Sequence, residues 1–277
     1  MEVASYLIDK SSSITVIGSS DLPYQNTLGR EIGKFTLTVK RNVKFYMNDN
    51  VTEVKGVDGK VKEVVLKSGK VIPADVLIVG VGIFPNSQFL QGSKITMDSK
   101  HFVIVDKYMR TNVPDVFCAG DLATFPLAMA KNRLVNIGHW QMAQAHGRIV
   151  ALNMINKATE LNSVPFYWTV LLGKTIRYAG YGEGYTEIVM KGKFEDRKFL
   201  ALYIKDDEVI AAAGLNYDPA VSAVAERLVT GNVITKAEAQ YVQSVCFPLL
   251  TVVLRTPDAV SPSPPDRSDD LSWLQLS

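Results

Sequence analysis

Hydrophobic and polar positions in the first part of the chain follow the pattern of a mixed α/β region. The run SITVIG at 13–18 is typical of a strand, and LGREIGKFTLTVK at 28–40 has the spacing of a helix. The continuous apolar run ADVLIVGVG at 74–82 predicts a strand buried on both faces of a parallel sheet. Asp58-Gly59 and Ser68-Gly69 predict hairpin turns, because glycine readily adopts positive φ.

An abrupt change from apolar to polar occurs at residues 116–121. The run Val116–Ala119 is typical of a buried strand, and it stops at Gly120-Asp121. At the carboxyl end of a parallel strand, glycine lets a ligand approach the backbone, and ligands of α/β sheets gather at such ends. A carboxylate just beyond the glycine can accept hydrogen bonds from sugar-like hydroxyls. A plain surface turn is the alternative interpretation.

The remaining chain predicts a helix, an antiparallel sheet and a second helix. Residues 139–158 have helical spacing, with Trp140, Ala143, Gly147, Val150 and Met154 on one face. From residue 164, short strand-like runs joined by turns such as Asp206-Asp207 favour an antiparallel sheet. Residues 218–231 predict a helix with Asp218 as its N-cap. The stretch from 244 to 277 is rich in Pro, Ser and Asp, which predicts disorder.

Composition and charge exclude several classes of function. The chain has 277 residues with 30 Lys and Arg against 28 Asp and Glu, and no long basic block, so we expect no nucleic-acid partner. Cys118 and Cys246 lie far apart and outside any C-x-x-C pattern, which argues against a disulfide scaffold or a zinc site. His139 and His146 have no evident third ligand, so no metal site is predicted. The apolar run at 245–254 contains Pro248 and is too short for a membrane span.

Three segments together resemble one enzyme family. TNVPDVFCAGD at 111–121 is similar to the second FAD-binding fingerprint of the FAD-dependent pyridine nucleotide-disulphide oxidoreductases. Residues 74–86 resemble the family's strand followed by G-x-G-x-x-P-[NA], and residues 164–182 resemble the start of the C-terminal interface domain of its ferredoxin-reductase branch. The resemblance implies an α/β fold with incomplete FAD- and NAD(P)-binding Rossmann-like domains, followed by a small α+β C-terminal domain.

The resemblance also implies boundaries and an activity. We expect a partial NAD(P)-binding domain at 1–84, the C-terminal part of an FAD-binding domain at 85–160, and the reductase C-terminal domain at 161–243. In this family, hydride passes from NAD(P)H to FAD, and electrons then pass to an acceptor. The implied cofactors are therefore FAD and NAD(P)H, and no residue is assigned as catalytic.

Seven residues acquire roles through the resemblance. Asp121 would bind the ribityl chain of FAD, and Gly120 would allow its close approach. The helix beginning near His139 would point its positive N-terminus at the flavin ring and favour the reduced, anionic form. Trp140 and Trp168 would lie near the flavin pocket, although core aromatics are an alternative reading. Gly80 and Gly82 would let the nicotinamide dinucleotide approach, or would be sheet-packing glycines.

The chain also departs from the family pattern. Neither G-x-G-x-x-G loop is present, and Gly18 stands near the place of the acidic residue that would bind the adenosine ribose. MEVASYL resembles the helix that follows the second loop, so we expect a truncated reductase that holds FAD weakly and exposes apolar surface. The alternative is a non-catalytic interaction module whose partner is an electron acceptor or a cell-death protein. A mitochondrial or cytoplasmic location is implied by the resemblance alone.

Overall fold

The computed structural model describes residues 1–38, 43–171 and 173–241. The tail at 244–277, for which the sequence predicts disorder, lies outside these residues. The described elements form a mixed α/β fold of the predicted class. They divide into a helix-and-strand region, a middle region around a helix, and a five-stranded antiparallel sheet with helices.

The N-terminal region alternates helices and parallel strands, as the pattern predicts. Its elements are α1 (Glu2–Leu7), β1 (Ile14–Gly18), α2 (Gln25–Thr38) and β2 (Val43–Met47). Strands β1 and β2 pair in parallel, with Ile14 opposite Val43. Helix α2 is interrupted at Gly29, whose φ of 85° and ψ of 170° are not helical.

An antiparallel sheet of three strands follows, consisting of β3 (Val51–Val57), β4 (Lys60–Leu66) and β5 (Val71–Pro73). Asp58 and Gly59 join β3 to β4 with φ values of 52° and 74°. Gly69, with a φ of 83°, lies in the turn between β4 and β5. Both predicted hairpins are confirmed, because their turn chemistry is local to the sequence.

The predicted buried strand at 74–82 is wrong. No regular strand forms there, and six large apolar side chains are between 58% and 97% exposed: Val76, Ile78, Val79, Val81, Ile83 and Phe84. We call residues 76–84 the exposed apolar segment. A strand buried on both faces needs neighbouring strands and covering helices, and the described residues supply neither to this segment.

The middle region is built around strand β7 and helix α3. It contains β6 (Val103–Ile104), β7 (Ala123–Leu127), β8 (Arg133–Val135) and α3 (Trp140–Met154), with single 3-10 turns at Gln88–Leu90, Gly120–Leu122 and Ala128–Ala130. Strand β7 pairs in parallel with β6 and antiparallel with β8.

Two predictions about this region are corrected. Val116–Ala119 is not a regular strand, since Phe117 makes only an isolated bridge to Arg110. The strand is the apolar segment behind the glycine, β7, in which Phe125 is fully buried. Gly120-Asp121 therefore lies in a turn that leads into a strand rather than at the end of one.

The predicted face of α3 is also not the buried one. Trp140, Gly147 and Met154 are exposed, whereas Met142, His146 and Asn153 are buried. The hydrophobic pattern failed because two polar residues occupy the inner face. Their side chains hydrogen bond to backbone groups that are themselves withdrawn from water.

The antiparallel sheet predicted from residue 164 onward is confirmed. Its strands are β9 (Phe166–Leu171), β10 (Lys174–Gly180), β11 (Glu187–Lys193), β12 (Lys198–Lys205) and β13 (Glu208–Leu215), in the order β11-β12-β13-β10-β9. Helices α4 (Ala220–Val229) and α5 (Lys236–Tyr241) follow.

Strand β12 is buried on both faces because each face packs against a helix. Leu200, Leu202 and Ile204 join a cluster that includes Val224 of α4. The alternate residues, such as Tyr203, join a cluster with residues of α2. The period-2 alternation of a strand thus links the two helices through one sheet.

The predicted N-cap of α4 is corrected as well. Pro219 occupies the cap position without a side-chain hydrogen bond. The carboxylate of Asp218 instead accepts a hydrogen bond from Arg177 of β10 at 2.7 Å. The nearby guanidinium outcompetes the helix N–H groups for this side chain.

Candidate functional site

The Gly120-Asp121 turn is the centre of the candidate site. Gly120 has a φ of +75°, a conformation that L side chains rarely adopt, and it begins the 3-10 turn ahead of β7. A Cβ at Gly120 would meet a single described neighbour within 4 Å, the Cβ of Ala143 at 3.7 Å. The absence of a side chain at Gly120 therefore leaves the space around its Cα nearly open, with Ala143 of α3 at its edge.

Two side chains hold this turn from opposite ends. The backbone N–H of Gly120 donates a hydrogen bond to Nδ1 of His146 at 3.2 Å. The side-chain amide of Asn136 donates to the carbonyl oxygens of Asp121 and Ala123, each at 2.9 Å. The backbone that carries the Asp121 side chain is thus held by groups on α3 and on the segment after β8.

The N-terminus of α3 lies beside Asp121. A Cβ placed on Gly138 would be 3.6 Å from the carboxylate carbon of Asp121, so the Asp121 side chain lies in van der Waals range of the residue that precedes the helix cap. The next residue, His139, caps the helix, because its Nδ1 accepts the N–H of Gln141 at 3.2 Å. Burial lowers the pKa of His139, while the charge of Asp121 acts in the opposite direction.

An aromatic wall continues from the helix N-terminus. The rings of His139 and Tyr167 have centroids 4.2 Å apart. Trp140 and Trp168 meet edge to face, with centroids 5.9 Å apart and an interplanar angle of 89°. The two tryptophans are 55% and 46% exposed, so they are surface-facing rings and not core residues.

Three buried polar atoms around this turn and wall have no hydrogen-bond partner within the described residues. They are Oε1 of Gln141, Nε2 of His146 and the hydroxyl of Tyr167. Burial raises the pKa of Tyr167, which keeps its hydroxyl protonated and able to donate. Unpaired buried polar groups cost free energy, and a polar ligand that hydrogen bonds to these atoms would remove that cost.

The group fits one end of FAD. An open glycine turn, a carboxylate, a helix N-terminus and flat aromatic rings suit a flavin ring with its hydroxylated ribityl chain. The other end of FAD needs a glycine-rich loop for its pyrophosphate, and the sequence has no G-x-G-x-x-G.

The remaining predicted site residues are not brought to this place. The contacts above join five of the predicted site residues into one continuous surface: Gly120, Asp121, His139, Trp140 and Trp168. Gly80 and Gly82 lie instead in the exposed apolar segment, and no described atom comes within 4 Å of a Cβ placed on either. The space beside them is open, and the approach of a nicotinamide dinucleotide at these glycines stays a prediction.

The described residues contain neither a metal-ligand cluster nor a helix suited to a membrane. No group of three or more His, Cys, Asp or Glu side chains in residues 1–38, 43–171 and 173–241 is arranged to hold a metal ion. In the same residues, no helix has the length and apolar character needed to cross a bilayer.

Sequence reasoning missed three contributors to the site. Asn136 has no sequence signal, because its role depends on carbonyls 13 and 15 residues away. The role of His146 was equally hidden, although a polar residue within the apolar spacing of a helix marks a position worth testing. The only sequence signal for Tyr167 is that it precedes Trp168, which is a predicted site residue.

Comparisons with known proteins identify the family of the chain. The pattern of the pyridine nucleotide-disulphide oxidoreductases matches residues 1–147, and that of the reductase C-terminal domain matches residues 166–244. Apoptosis-inducing factor 3 of Homo sapiens is 50% identical over 242 residues, which cover 87% of this chain and 40% of that protein. The ferredoxin–NAD(+) reductase component of the biphenyl dioxygenase system of Paraburkholderia xenovorans is 29% identical, over 86% of this chain and 57% of that protein.

A solved structure shares the fold. The ferredoxin reductase for the CYP199A2 system from Rhodopseudomonas palustris matches with a TM-score of 0.76 and 22% identity, over 86% of this chain and 58% of that one. The chain thus spans between two fifths and three fifths of the length of these relatives. On the family match over residues 1–147, this chain belongs to the pyridine nucleotide-disulphide oxidoreductase family, as a ferredoxin reductase-like member with a reductase C-terminal domain.

Proposed function

We propose that this chain takes part in an FAD-dependent NAD(P)H oxidoreductase of the apoptosis-inducing-factor type and holds the flavin end of FAD. The observation that carries the proposal is the Gly120-Asp121 turn beside the N-terminus of α3, the helix that begins with Trp140 in contact with Trp168. We also propose the predicted boundaries, with residues 1–84 as a partial NAD(P)-binding domain and 85–160 as the rest of an FAD-binding domain.

Each residue has a distinct task in this proposal. Asp121 accepts hydrogen bonds from hydroxyls of the ribityl chain, and Gly120 lets that chain lie against the backbone. The N-terminus of α3, capped by His139, presents N–H groups and partial positive charge that stabilise negative charge on the flavin ring. Trp140 and Trp168 cover the ring and keep water from it.

FAD supplies the redox chemistry when it is bound, as cofactors of this kind do. The protein binds it, orients it and sets the electrostatics around it. The relatives include a ferredoxin–NAD(+) reductase component, so a ferredoxin is the electron acceptor that we propose for the reductase. A cell-death protein partner and a mitochondrial or cytoplasmic location stay predictions.

The test is the visible absorption spectrum of the purified chain after incubation with FAD and removal of free FAD. Flavin bands at about one FAD per chain support the proposal, and bleaching of the bands by NADH or NADPH would extend it to hydride transfer. A colourless wild-type protein contradicts the claim that this chain holds FAD. Asp196→Ala, at an exposed turn far along the sequence, is the matched control for Asp121→Ala, which should reduce the bands.

A second candidate function is favoured by the exposed apolar segment. Exposed contiguous apolar patches of this kind are typical of protein interaction surfaces. Val81 is 90% exposed and Phe84 is 97% exposed, in a stretch without regular strand pairing. The alternative proposal is therefore a non-catalytic interaction module that binds a partner through residues 76–84.

The two candidates make different predictions for Phe84→Ser. Under the interaction proposal, this variant binds less of the hydrophobic dye ANS and self-associates less in light scattering. Its FAD retention equals that of the wild type, because Phe84 is not among the residues proposed to contact FAD. Unchanged dye binding and association would contradict the interaction proposal and leave the flavin proposal as it stands.

A further inference from the structure

We propose that His146 is a positioning residue, which fixes the Gly120-Asp121 turn in its ligand-binding conformation. The inference deepens the proposed function and rests on it for its meaning to FAD. The imidazole of His146 is fully buried, at 0% exposure, on the inner face of α3. The ring lies edge-on to Phe125 of β7, with centroids 4.5 Å apart.

The hydrogen bond to Gly120 defines the state of the imidazole. Nδ1 accepts the N–H of Gly120 at 3.2 Å, so the proton of the neutral ring is on Nε2. Burial favours this neutral form, and it lowers the pKa of His146 to about 4. A protonated ring would offer a donor at both nitrogens and would leave the Gly120 N–H without its acceptor.

The unpaired Nε2 of His146 indicates that the residue does more than fill space in the core. Nε2 is buried and has no hydrogen-bond partner within the described residues, which costs free energy. A leucine would fill much of the same space against Phe125 without that cost. Leucine cannot accept a hydrogen bond from the Gly120 N–H. This hydrogen bond is the contribution of His146 that offsets the free-energy cost of its unpaired Nε2.

The contribution matters because of where Gly120 lies. Its N–H points to His146 of α3, and Asp121 follows it directly in the chain. Without an acceptor, the left-handed glycine can rotate its peptide to find one, and Asp121 moves with it. Asn136 holds only the carbonyl side of the turn, so it does not replace the lost acceptor.

Three substitutions at one position test the inference. His146→Asn keeps an oxygen acceptor close to the position of Nδ1. His146→Gln moves the polar atoms one bond further, and His146→Leu removes them. Asn153→Leu is the control, because it removes another buried polar side chain from the same helix and that side chain bonds to carbonyls remote from the turn.

The first readout is hydrogen exchange of the Gly120 amide in protein without FAD. We expect slow exchange in the wild type and in His146→Asn, and exchange faster by about tenfold in His146→Leu and His146→Gln, as loss of one hydrogen bond implies. Equal protection in all variants would overturn the inference. If His146→Leu does not fold, the comparison of Asn with Gln still decides.

The second readout is the dissociation constant of FAD. We expect it to rise by about tenfold in His146→Leu and to return close to the wild-type value in His146→Asn. Equal weakening by Asn153→Leu would overturn the inference, because the effect would then be general destabilisation. If the wild type binds no FAD, the proposed function fails, and amide exchange alone decides the role of His146.

Discussion

Tyr203→Phe removes one oxygen atom and should measurably destabilise the protein. Tyr203 of β12 is 1% exposed, and its hydroxyl donates to the carbonyl oxygen of Leu28 at 2.6 Å. Leu28 precedes Gly29, where α2 is interrupted. The hydrogen bond therefore fastens the break in α2 to the C-terminal sheet, across 175 residues of sequence.

The magnitude follows from the buried hydrogen bond to the Leu28 carbonyl that the variant loses. An unsatisfied buried acceptor costs about 1–3 kcal/mol, and packing is unaffected because phenylalanine keeps the ring. For a chain of this size, a loss of about 2 kcal/mol lowers the midpoint of thermal unfolding by roughly 4–8 °C. Edge-to-face contacts of the ring with Tyr178 and Tyr185 remain in the variant.

Urea unfolding followed by circular dichroism measures the effect. Tyr185→Phe is the matched control, since Tyr185 touches Tyr203 and its hydroxyl has no hydrogen bond to a described residue. We expect the control to change the free energy of unfolding by less than about 0.5 kcal/mol. Equal stability of wild type and Tyr203→Phe would refute the reasoning that this contact joins α2 to the sheet.

Two further predictions concern acid and glycine. The pKa of His146 is lowered from an ordinary 6.5 to about 4, so the stability it carries is fully present above pH 6.5 and is lost as the pH falls toward 4. The loss of unfolding free energy is about 2 kcal/mol at pH 5. Urea unfolding at pH 7 and pH 5 should show this loss in the wild type and not in His146→Asn. Equal losses in both proteins would contradict the assignment of the loss to His146. Gly180→Ala should destabilise by about 3 kcal/mol or more, because its Cβ would lie 2.4 Å from the carbonyl oxygen of Ile210. Gly173→Ala also has a positive φ, +71° against +102° at Gly180, but open space, so it measures backbone strain without the clash. An equal effect in both variants would exclude the clash.

Much of the fold could be predicted from sequence because its signals are local. The hairpin turns at Asp58-Gly59 and Asp206-Asp207 use residues that adopt positive φ, as the structure records for all four. The strand at 13–18 and the helix at 28–40 also formed close to their predicted places, although α2 begins earlier, at Gln25. These elements need few partners from distant parts of the chain.

The wrong predictions concern segments whose structure depends on residues distant in the sequence. The run at 74–82 has the composition of a central strand, but composition does not supply the neighbouring strands. The inner face of α3 carries His146 and Asn153, whose burial is favoured by backbone groups that no spacing rule identifies. The residues proposed to face the flavin are predicted through resemblance, whereas the residues that hold their backbone are evident only from the structure.

The most direct measurement of the central claim is the dissociation constant of FAD for wild type and Asp121→Ala, by titration with flavin fluorescence as the readout. The account predicts saturable binding by the wild type and a constant weaker by about tenfold or more in the variant, since hydrogen bonds to a carboxylate contribute about 1.5–3 kcal/mol. Saturable binding with equal constants would contradict the role of Asp121. An absence of binding by the wild type would contradict the claim that this turn and helix hold FAD.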